Sequence, residues 1–216
     1  MTRQDCVRLA VAVVTLALGA GRGAAAPSKL PLAEGPARVE DGFLIIPGEV
    51  TNATDQWIRG VRIDIELYDA SGRRIHQDRV HTQRDHLAPH EVSPFKFIRD
   101  LAKIQGKYAR HTLSVSAVPG PSTLACVAEE VVIEREGSGF RIHGVLRSTG
   151  SEPCRNAQAV AAGYDASGRV YDVAARYPDT DPGGLAAEQT VPFQLVLENR
   201  NGHIVDVKAW GACSGR

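Results

Sequence analysis

The residues best able to do chemistry in this sequence are histidines. Four of the seven lie within fifteen residues, at His76, His81, His86 and His90. Zinc and copper bind where imidazole nitrogens converge on one point. His76 and His81 are an odd number of positions apart, which on a regular strand places them on opposite faces. We predict a solvated hairpin and loop with no metal or other cofactor, and keep metal binding by this segment as the alternative function.

Residues for nucleophilic or acid–base catalysis do not form a recognisable set. The sequence has no Gly-x-Ser-x-Gly motif, and Ser71 and Ser167 fall in Asp-Ala-Ser-Gly stretches, where a hydroxyl is common in turns. Asp64 and Glu66 alternate along a polar strand face, where carboxylates are usually solvated rather than held as an acid–base pair. The sequence therefore predicts a protein that is not an enzyme, and an unrecognised hydrolase is the third alternative.

The elements that would position these side chains come in two copies. The hexapeptide Tyr-Asp-Ala-Ser-Gly-Arg occurs at residues 68–73 and again at 164–169, and a Pro-Phe pair follows each copy, at 94–95 and 192–193. Such a period indicates a tandem repeat. In the hexapeptide, Asp can accept backbone hydrogen bonds and Gly tolerates positive φ, which predicts a hairpin turn. The turn motif comprises Tyr68, Asp69, Gly72, Tyr164, Asp165 and Gly168.

The residues that precede the first hexapeptide alternate strictly between apolar and polar. Val61, Ile63, Ile65 and Leu67 share one face of a predicted strand. Short strands of this kind, separated by turns and without a long helical period, predict an all-β protein of two antiparallel β-sandwich domains. The predicted boundaries are a signal peptide at residues 1–25, a flexible lead at 26–37, a first sandwich at 38–118, a linker at 119–123 and a second sandwich at 124–216.

The matching strand of the second copy carries much smaller side chains. Its counterparts of the four apolar residues are Ala157, Ala159, Ala161 and Gly163. Each buried CH₂ contributes about 0.8 kcal/mol, so this face loses many kcal/mol unless larger residues opposite fill the space. We expect the second domain to be thinner here or covered by another part of the protein.

The N-terminal residues have the form of a secretory signal peptide. Arg3 and Arg8 flank the start of an apolar run at residues 9–20, and small residues follow, which favours cleavage after Ala25. The apolar run is shorter than the roughly 20 residues that a transmembrane helix needs, so we predict no membrane span in the mature chain. The remaining 22 basic and 24 acidic side chains offer no excess of positive charge for nucleic acid.

These motifs together resemble the FxLYD family, which has small immunoglobulin-like β-sandwich domains in exported bacterial proteins. The first copy matches through residues 48–52, 67–73, 87–91 and 94–95, with Ile65 in place of the family's Phe. The second copy keeps Gly144, residues 164–169 and the Pro-Phe pair, but has Gly163 in place of Leu. The resemblance implies two tandem immunoglobulin-like domains, and it implies no reaction, cofactor or ligand.

In an immunoglobulin-like strand order, the strand that begins after Cys154 runs antiparallel to the strand that ends near Cys213. This order predicts a Cys154–Cys213 disulfide, which export to an oxidising compartment would allow. Cys126 lies near the same end of the second domain and could compete for either partner. An odd number of cysteines in the mature chain leaves one thiol over.

A non-enzymatic module that binds or spaces another protein, in the periplasm or outside the cell, is the function that the sequence favours. Side-chain parity predicts where a protein partner would dock. Val205, Val207 and Ala209 match inward residues of the first copy, so the residues between them point outward. Trp is enriched among the anchors of protein interfaces. The candidate binding surface therefore comprises Trp210, Asp206 and Lys208.

Overall fold

The computed structural model describes residues 30–120, 125–178 and 184–213. Within these ranges the protein is all-β, its strand pairs are antiparallel, and the one short helical turn is a 3-10 turn at Leu101–Lys103. The predicted signal peptide lies outside the described residues, as does most of the predicted linker. The all-β prediction is confirmed, and the division into two immunoglobulin-like domains stays a prediction.

The first copy, residues 30–120, forms two sheets around one apolar cluster. Its strands are β1 (Leu32–Glu34), β2 (Arg38–Glu40), β3 (Phe43–Thr51), β4 (Ile58–Tyr68), β5 (Arg74–His81), β6 (His86–Leu87), β7 (Val92–Asp100) and β8 (Arg110–Pro119). In sheet 1, β3 pairs with β1, β2 and β7, and in sheet 2, β4 pairs with β5, β6 and β8. Leu44, Ile46 and Phe95 meet Ile63 and Leu67 in the buried core.

The second copy, residues 125–213, repeats this plan around its own cluster. Its strands are β9 (Cys126–Glu136), β10 (Gly139–Ser148), β11 (Gln158–Tyr164), β12 (Val170–Arg176), β13 (Thr190–Glu198) and β14 (Asp206–Ala212). Sheet 3 has the order β13-β10-β9, and sheet 4 has the order β12-β11-β14. Phe140, Ile142 and Leu146 of sheet 3 pack with Ala159 and Ala161 of sheet 4.

The two repeated hexapeptides form the predicted turns. Asp69 Oδ1 accepts the backbone N–H groups of Ser71 and Arg73, both at 3.0 Å, and Gly72 adopts a φ of 83°. Asp165 accepts from Ser167 and Arg169 in the same way, at 2.8 and 3.0 Å. These turns join β4 to β5 and β11 to β12, so each hexapeptide fixes one hairpin of its copy.

The small side chains of β11 are compensated from the opposite side of the core. A Cβ added at Gly163 would lie 2.6 Å from Ile204 Cδ1 and 2.8 Å from Leu197 Cδ2. Ile204 and Leu197 therefore occupy the space that Leu67 fills with its own side chain in the first copy. Filling by larger residues, the condition under which this face keeps its stability, is therefore met on the core side.

The described part of the predicted flexible lead, residues 26–37, is ordered, and that prediction is wrong there. Leu30 is buried in the first core, and β1 pairs with β3. The N–H of Thr51 donates to the carbonyl of Pro31 at 3.0 Å, and the N–H of Gly35 donates to that of Pro47 at 2.9 Å. Two leucines, Leu30 and Leu32, bury apolar surface that the Pro/Ala-rich composition of this segment obscured.

The final strand, predicted from Ile204 to Trp210, begins two residues later, at Asp206. Val205 was expected to face the core, but 61% of it is exposed, and its N–H donates to the Tyr164 carbonyl just before the regular ladder of β14. Ile204 is fully buried and takes the inward place. Val207 points inward as predicted.

Candidate binding surface at the junction of the two copies

The outward face of sheet 4 is buried against sheet 1. On this face Val160, Ala162 and Tyr164 of β11 form an apolar cluster with Val170 and Val173 of β12, separate from the core of the second copy. β12 lies against β3 and β7. Strand β11 is therefore buried on both faces, whereas β4 of the first copy is fully buried on one face only.

Charged side chains of sheet 1 fix this junction to β12. The Asp172 carboxylate lies 3.0 Å from Lys96 Nζ and 3.7 Å from an Arg38 guanidinium nitrogen. The same guanidinium donates to the Tyr171 carbonyl at 2.7 Å and lies over the Tyr171 ring, 4.5 Å from its centroid. These contacts join the two copies through groups that are largely withdrawn from solvent.

Tyr164, a residue of the repeated hexapeptide, has a second role at the junction. Its hydroxyl donates to the Glu49 carboxylate of β3 at 3.0 Å. Burial, together with the neighbouring charge of Glu49, raises the pKa of Tyr164 well above its usual range. The phenol is therefore protonated and available as a donor at every physiological pH.

The predicted surface residues lie on β14 at the margin of this junction. Trp210, Lys208 and Asp206 stand directly opposite Val160, Ala162 and Tyr164 of β11, so they share one face as predicted. Trp210 is partly buried and packs against the junction cluster, while Asp206 and Lys208 are exposed. Lys208 Nζ lies 4.8 Å from the centre of the Tyr164 ring. The structure thus brings the three together, with the indole leaning on the junction.

A cleft of about 290 Å³ continues from the end of β14 between the two copies. Trp57, Arg84 and His86 line it from the first copy, and Cys126 and Ala212 line it from the second. Trp57 is 37% exposed. Because Trp57 lines this cleft and Trp210 packs against the junction cluster, both tryptophans of the protein lie close to the junction. Arg84 forms an ion pair with Glu91, which also lines the cleft, at 2.9 Å.

His86 is the most unusual titratable group of the cleft. Its Nδ1 is buried without a hydrogen-bond partner in the described residues, and its Nε2 lies 3.6 Å from Asp85 Oδ2. Burial lowers the pKa of His86, Asp85 acts in the opposite direction, and Arg59 lowers the pKa further. The imidazole is therefore held in its neutral form more strongly than a solvated histidine.

The cysteines behave as the strand order predicted. Cys154 and Cys213 form the predicted disulfide, with Cα atoms 5.4 Å apart, and Cys126 is a buried free thiol. Gln158 pairs with Ala212, so the start of β11 lies beside the end of β14 and brings the two cysteines together. Burial raises the pKa of the Cys126 thiol to about 11, which suppresses the reactive thiolate.

The four clustered histidines do not converge. His76, His86 and His90 face Asp78, Asp85 and Asp55 at 3.5, 3.6 and 3.8 Å. Within the described ranges no group of three or more His, Cys, Asp or Glu side chains is placed to hold a metal ion. The arrangement therefore offers nothing that favours the alternative function over the first.

The carboxylates considered for catalysis are engaged in local contacts. Asp64 accepts from the Arg62 guanidinium at 3.0 Å. Glu66 accepts from the Tyr68 hydroxyl at 2.6 Å and from Arg74, and these hydrogen bonds lower its pKa. Ser71 and Ser167 lie in their turns. The two carboxylates are held by neighbouring side chains on the outer face of sheet 2.

Sequence reasoning missed the cleft and the extent of the junction. The signal for the junction was present in β11, since Val160, Ala162 and Tyr164 alternate with the alanines of the core face and leave the strand without a charged side chain. A strand that is apolar on both faces is typical of burial on both sides. The cleft depends on the packing of one copy on the other and leaves no comparable pattern.

Comparisons with known proteins do not identify a family for this chain. No protein-family model matches the chain, and no curated protein matches it. Among solved structures, a match is the crystal structure of red sea bream transglutaminase, with 9% sequence identity and a TM-score of 0.29. The match covers 88% of this chain and 32% of the transglutaminase chain, so this chain spans about a third of that protein. In the described residues, no helix is long and apolar enough to cross a membrane.

Proposed function

We propose that the protein is a non-enzymatic exported module, built from two FxLYD-like domains, that binds or spaces another protein of the bacterial envelope or extracellular space. The observation that carries this proposal is the surface of β14 beside a fixed junction. There the exposed Asp206 and Lys208 precede the partly buried Trp210 along the same face of the strand. A partly buried tryptophan with charged residues beside it has the composition of an interface anchor and its polar rim.

The junction supports the proposal because it holds this surface in one orientation. Asp172 forms an ion pair with Lys96, and the Tyr164 hydroxyl donates to Glu49, and both contacts join the second copy to sheet 1 beside the cluster against which Trp210 packs. A binding surface that is already ordered loses less conformational freedom on association. The first copy thereby acts as a support and spacer for the second.

Two features support export. Residues 1–25 have the composition of a secretory signal peptide, and a Cys154–Cys213 disulfide persists where the compartment is oxidising. The partner is therefore expected in the periplasm or outside the cell.

Affinity capture from the native cell envelope tests this function. The mature protein is used as bait beside Lys208→Glu and Asp206→Lys variants, and Lys103→Glu serves as the control because Lys103 is exposed on the first copy. We expect the β14 variants to lose a captured protein that the control retains, while all four proteins melt at similar temperatures. Capture of the same proteins by all four baits contradicts the proposed surface.

Trp210→Ala separates a binding role from a purely structural one. Because the indole leans on the junction cluster, we expect both a moderate loss of stability and a loss of capture. A loss of stability with unchanged capture would leave Trp210 as packing alone.

A further inference from the structure

Sheet 3 ends at β13, and its outer edge borders a groove. The groove has a volume of about 450 Å³ and lies between the end of β12 and the middle of β13. Arg176, Tyr177 and Pro178 form one wall, and residues 192–196 form the other. Tyr177 is 64% exposed and Val196 is 51% exposed, so the groove presents apolar surface to solvent.

Backbone groups of β13 face this groove. The N–H of Asn199 donates to the Ser138 carbonyl, and this bond shows which residues of β13 direct their backbone groups towards β10. Because backbone groups alternate in direction along an antiparallel strand, the N–H and C=O groups of Gln194 and Val196 point away from β10, as does the Pro192 carbonyl. In the described residues, no hydrogen bond from outside the ladder reaches these groups.

The first copy shows what fits beside the matching strand. Pro94 of β7 is the counterpart of Pro192 in the repeated Pro-Phe pair. Its carbonyl accepts the N–H of Gln83 at 2.8 Å, and the next N–H, of Arg84, donates to Ser93 Oγ at 2.8 Å. The loop that joins β5 to β6 thus lies beside the edge of β7 and donates a backbone hydrogen bond to it.

The side chains around the groove define the chemistry of an occupant. Arg176 is exposed and makes no ion pair within the described part of the protein, so it favours a carboxylate. Tyr177 and Val196 favour an apolar side chain. Peptides that add a strand to a sheet edge combine backbone hydrogen bonds with such alternating side-chain contacts.

We propose that the β13 edge binds an extended peptide of a partner protein, which donates a backbone N–H to Pro192 and places an acidic side chain on Arg176. The peptide adds a fourth strand to sheet 3. This site is distinct from the Trp210 surface, and it stands whether or not that surface binds a protein.

The test uses the mature protein and a fluorescein-labelled peptide, acetyl-Thr-Val-Glu-Val-Thr-Val-Thr-amide. We expect saturable binding with a dissociation constant below about 100 µM, measured by fluorescence anisotropy. Hydrogen exchange at the Gln194 and Val196 amides should slow in the complex. Arg176→Glu should weaken binding about tenfold or more, because it replaces attraction by repulsion.

Three controls distinguish strand addition from nonspecific attraction. Arg155→Glu changes an exposed arginine of the same copy that does not line the groove, and it should bind as the parent protein does. Val196→Pro removes an N–H that faces the groove and not β10, and should weaken binding. The same peptide with N-methylated backbone amides tests the hydrogen bonds without altering the protein.

Several results would overturn the proposal. These are the absence of saturable binding up to about 1 mM peptide, equal binding of the N-methylated peptide, or amide protection that maps to β14 instead of β13. Self-association in sedimentation experiments that the peptide displaces would assign the edge to a second copy of this chain, and would overturn the assignment to a partner.

Discussion

Gly163 is a residue at which the two copies pack differently. The first copy places Leu67 at this position, whereas the second leaves the space to Ile204 and Leu197. The repeat alone shows the loss of a side chain, since Gly163 stands where Leu is expected. The two residues that fill the gap come from distant parts of the sequence, so the compensation could not be predicted from the local pattern.

Gly163→Ala should therefore destabilise the protein although alanine is the better strand residue. The new Cβ would lie 2.6 Å from Ile204 Cδ1 and 2.7 Å from its Cγ2, and such overpacking costs about 1–3 kcal/mol. Urea denaturation measures the change in unfolding free energy. The Gly163→Ala/Ile204→Ala double variant should lose less stability than the sum of the single variants, and strict additivity would argue against this contact.

The neutral state of His86 should make stability depend on pH. Its folded-state pKa lies below the unfolded value of about 6.5, so the unfolded protein binds more protons and stability falls as the pH drops through that value. We expect the melting temperature of His86→Gln to fall less between about pH 7 and pH 5 than that of the parent. His90→Gln is the matched control, because the His90 side chain is 73% exposed. Equal slopes for all three proteins would contradict the assignment.

At the scale of elements, alternation predicted the strands well. The strand pattern ending at Leu67 places β4 with one apolar face buried, as found, and parity along β14 correctly groups Trp210 with Lys208. Parity failed at Val205 because the strand begins at Asp206. Strand β1 was not predicted, because its three residues lie in a Pro/Ala-rich segment and are too few to show an alternating pattern. The strand is defined by its pairing with β3.

The strand order brings Cys154 and Cys213 together, and removal of their disulfide should lower the free energy of unfolding. The disulfide closes a separation of 59 residues, for which loop-closure entropy gives about 4 kcal/mol. The Cys154→Ser/Cys213→Ser double variant should lose stability of this order in urea denaturation. Peptide mapping without reduction should recover Cys154 linked to Cys213, and a linkage through Cys126 would show the strand order to be wrong.

Cys126, the first residue of β9, serves as an internal probe of the second copy. A pKa of about 11 leaves about 100-fold less thiolate at pH 8 than an ordinary cysteine has. Alkylation by iodoacetamide should therefore be slow in the native protein and become rapid in urea. Fast labelling without denaturant would mean that β9 opens at Cys126.

At the scale of the whole molecule, stability depends on the junction as well as on the two cores. The Lys96–Asp172 pair spans the junction at 3.0 Å, with side chains 24% and 15% exposed. A double-mutant cycle with Lys96→Met and Asp172→Asn should give a coupling energy of about 1 kcal/mol. The exposed Arg200–Glu198 pair, at 3.2 Å, is the control and should give a coupling near zero. Coupling near zero for both pairs would mean that this ion pair adds nothing to stability and that the junction depends on its apolar cluster.

Because of the junction, the order of the two copies along the chain also matters. The second copy offers Val160, Ala162 and Tyr164 to its neighbour, whereas the equivalent face of β4 in the first copy carries Arg62, Asp64 and Glu66. An engineered chain with the two halves in reverse order would set the charged face of β4 against sheet 3, whereas the native order sets the apolar face of β11 against sheet 1. The halves are related by repetition but are not interchangeable, and each is specialised for its place in the sequence.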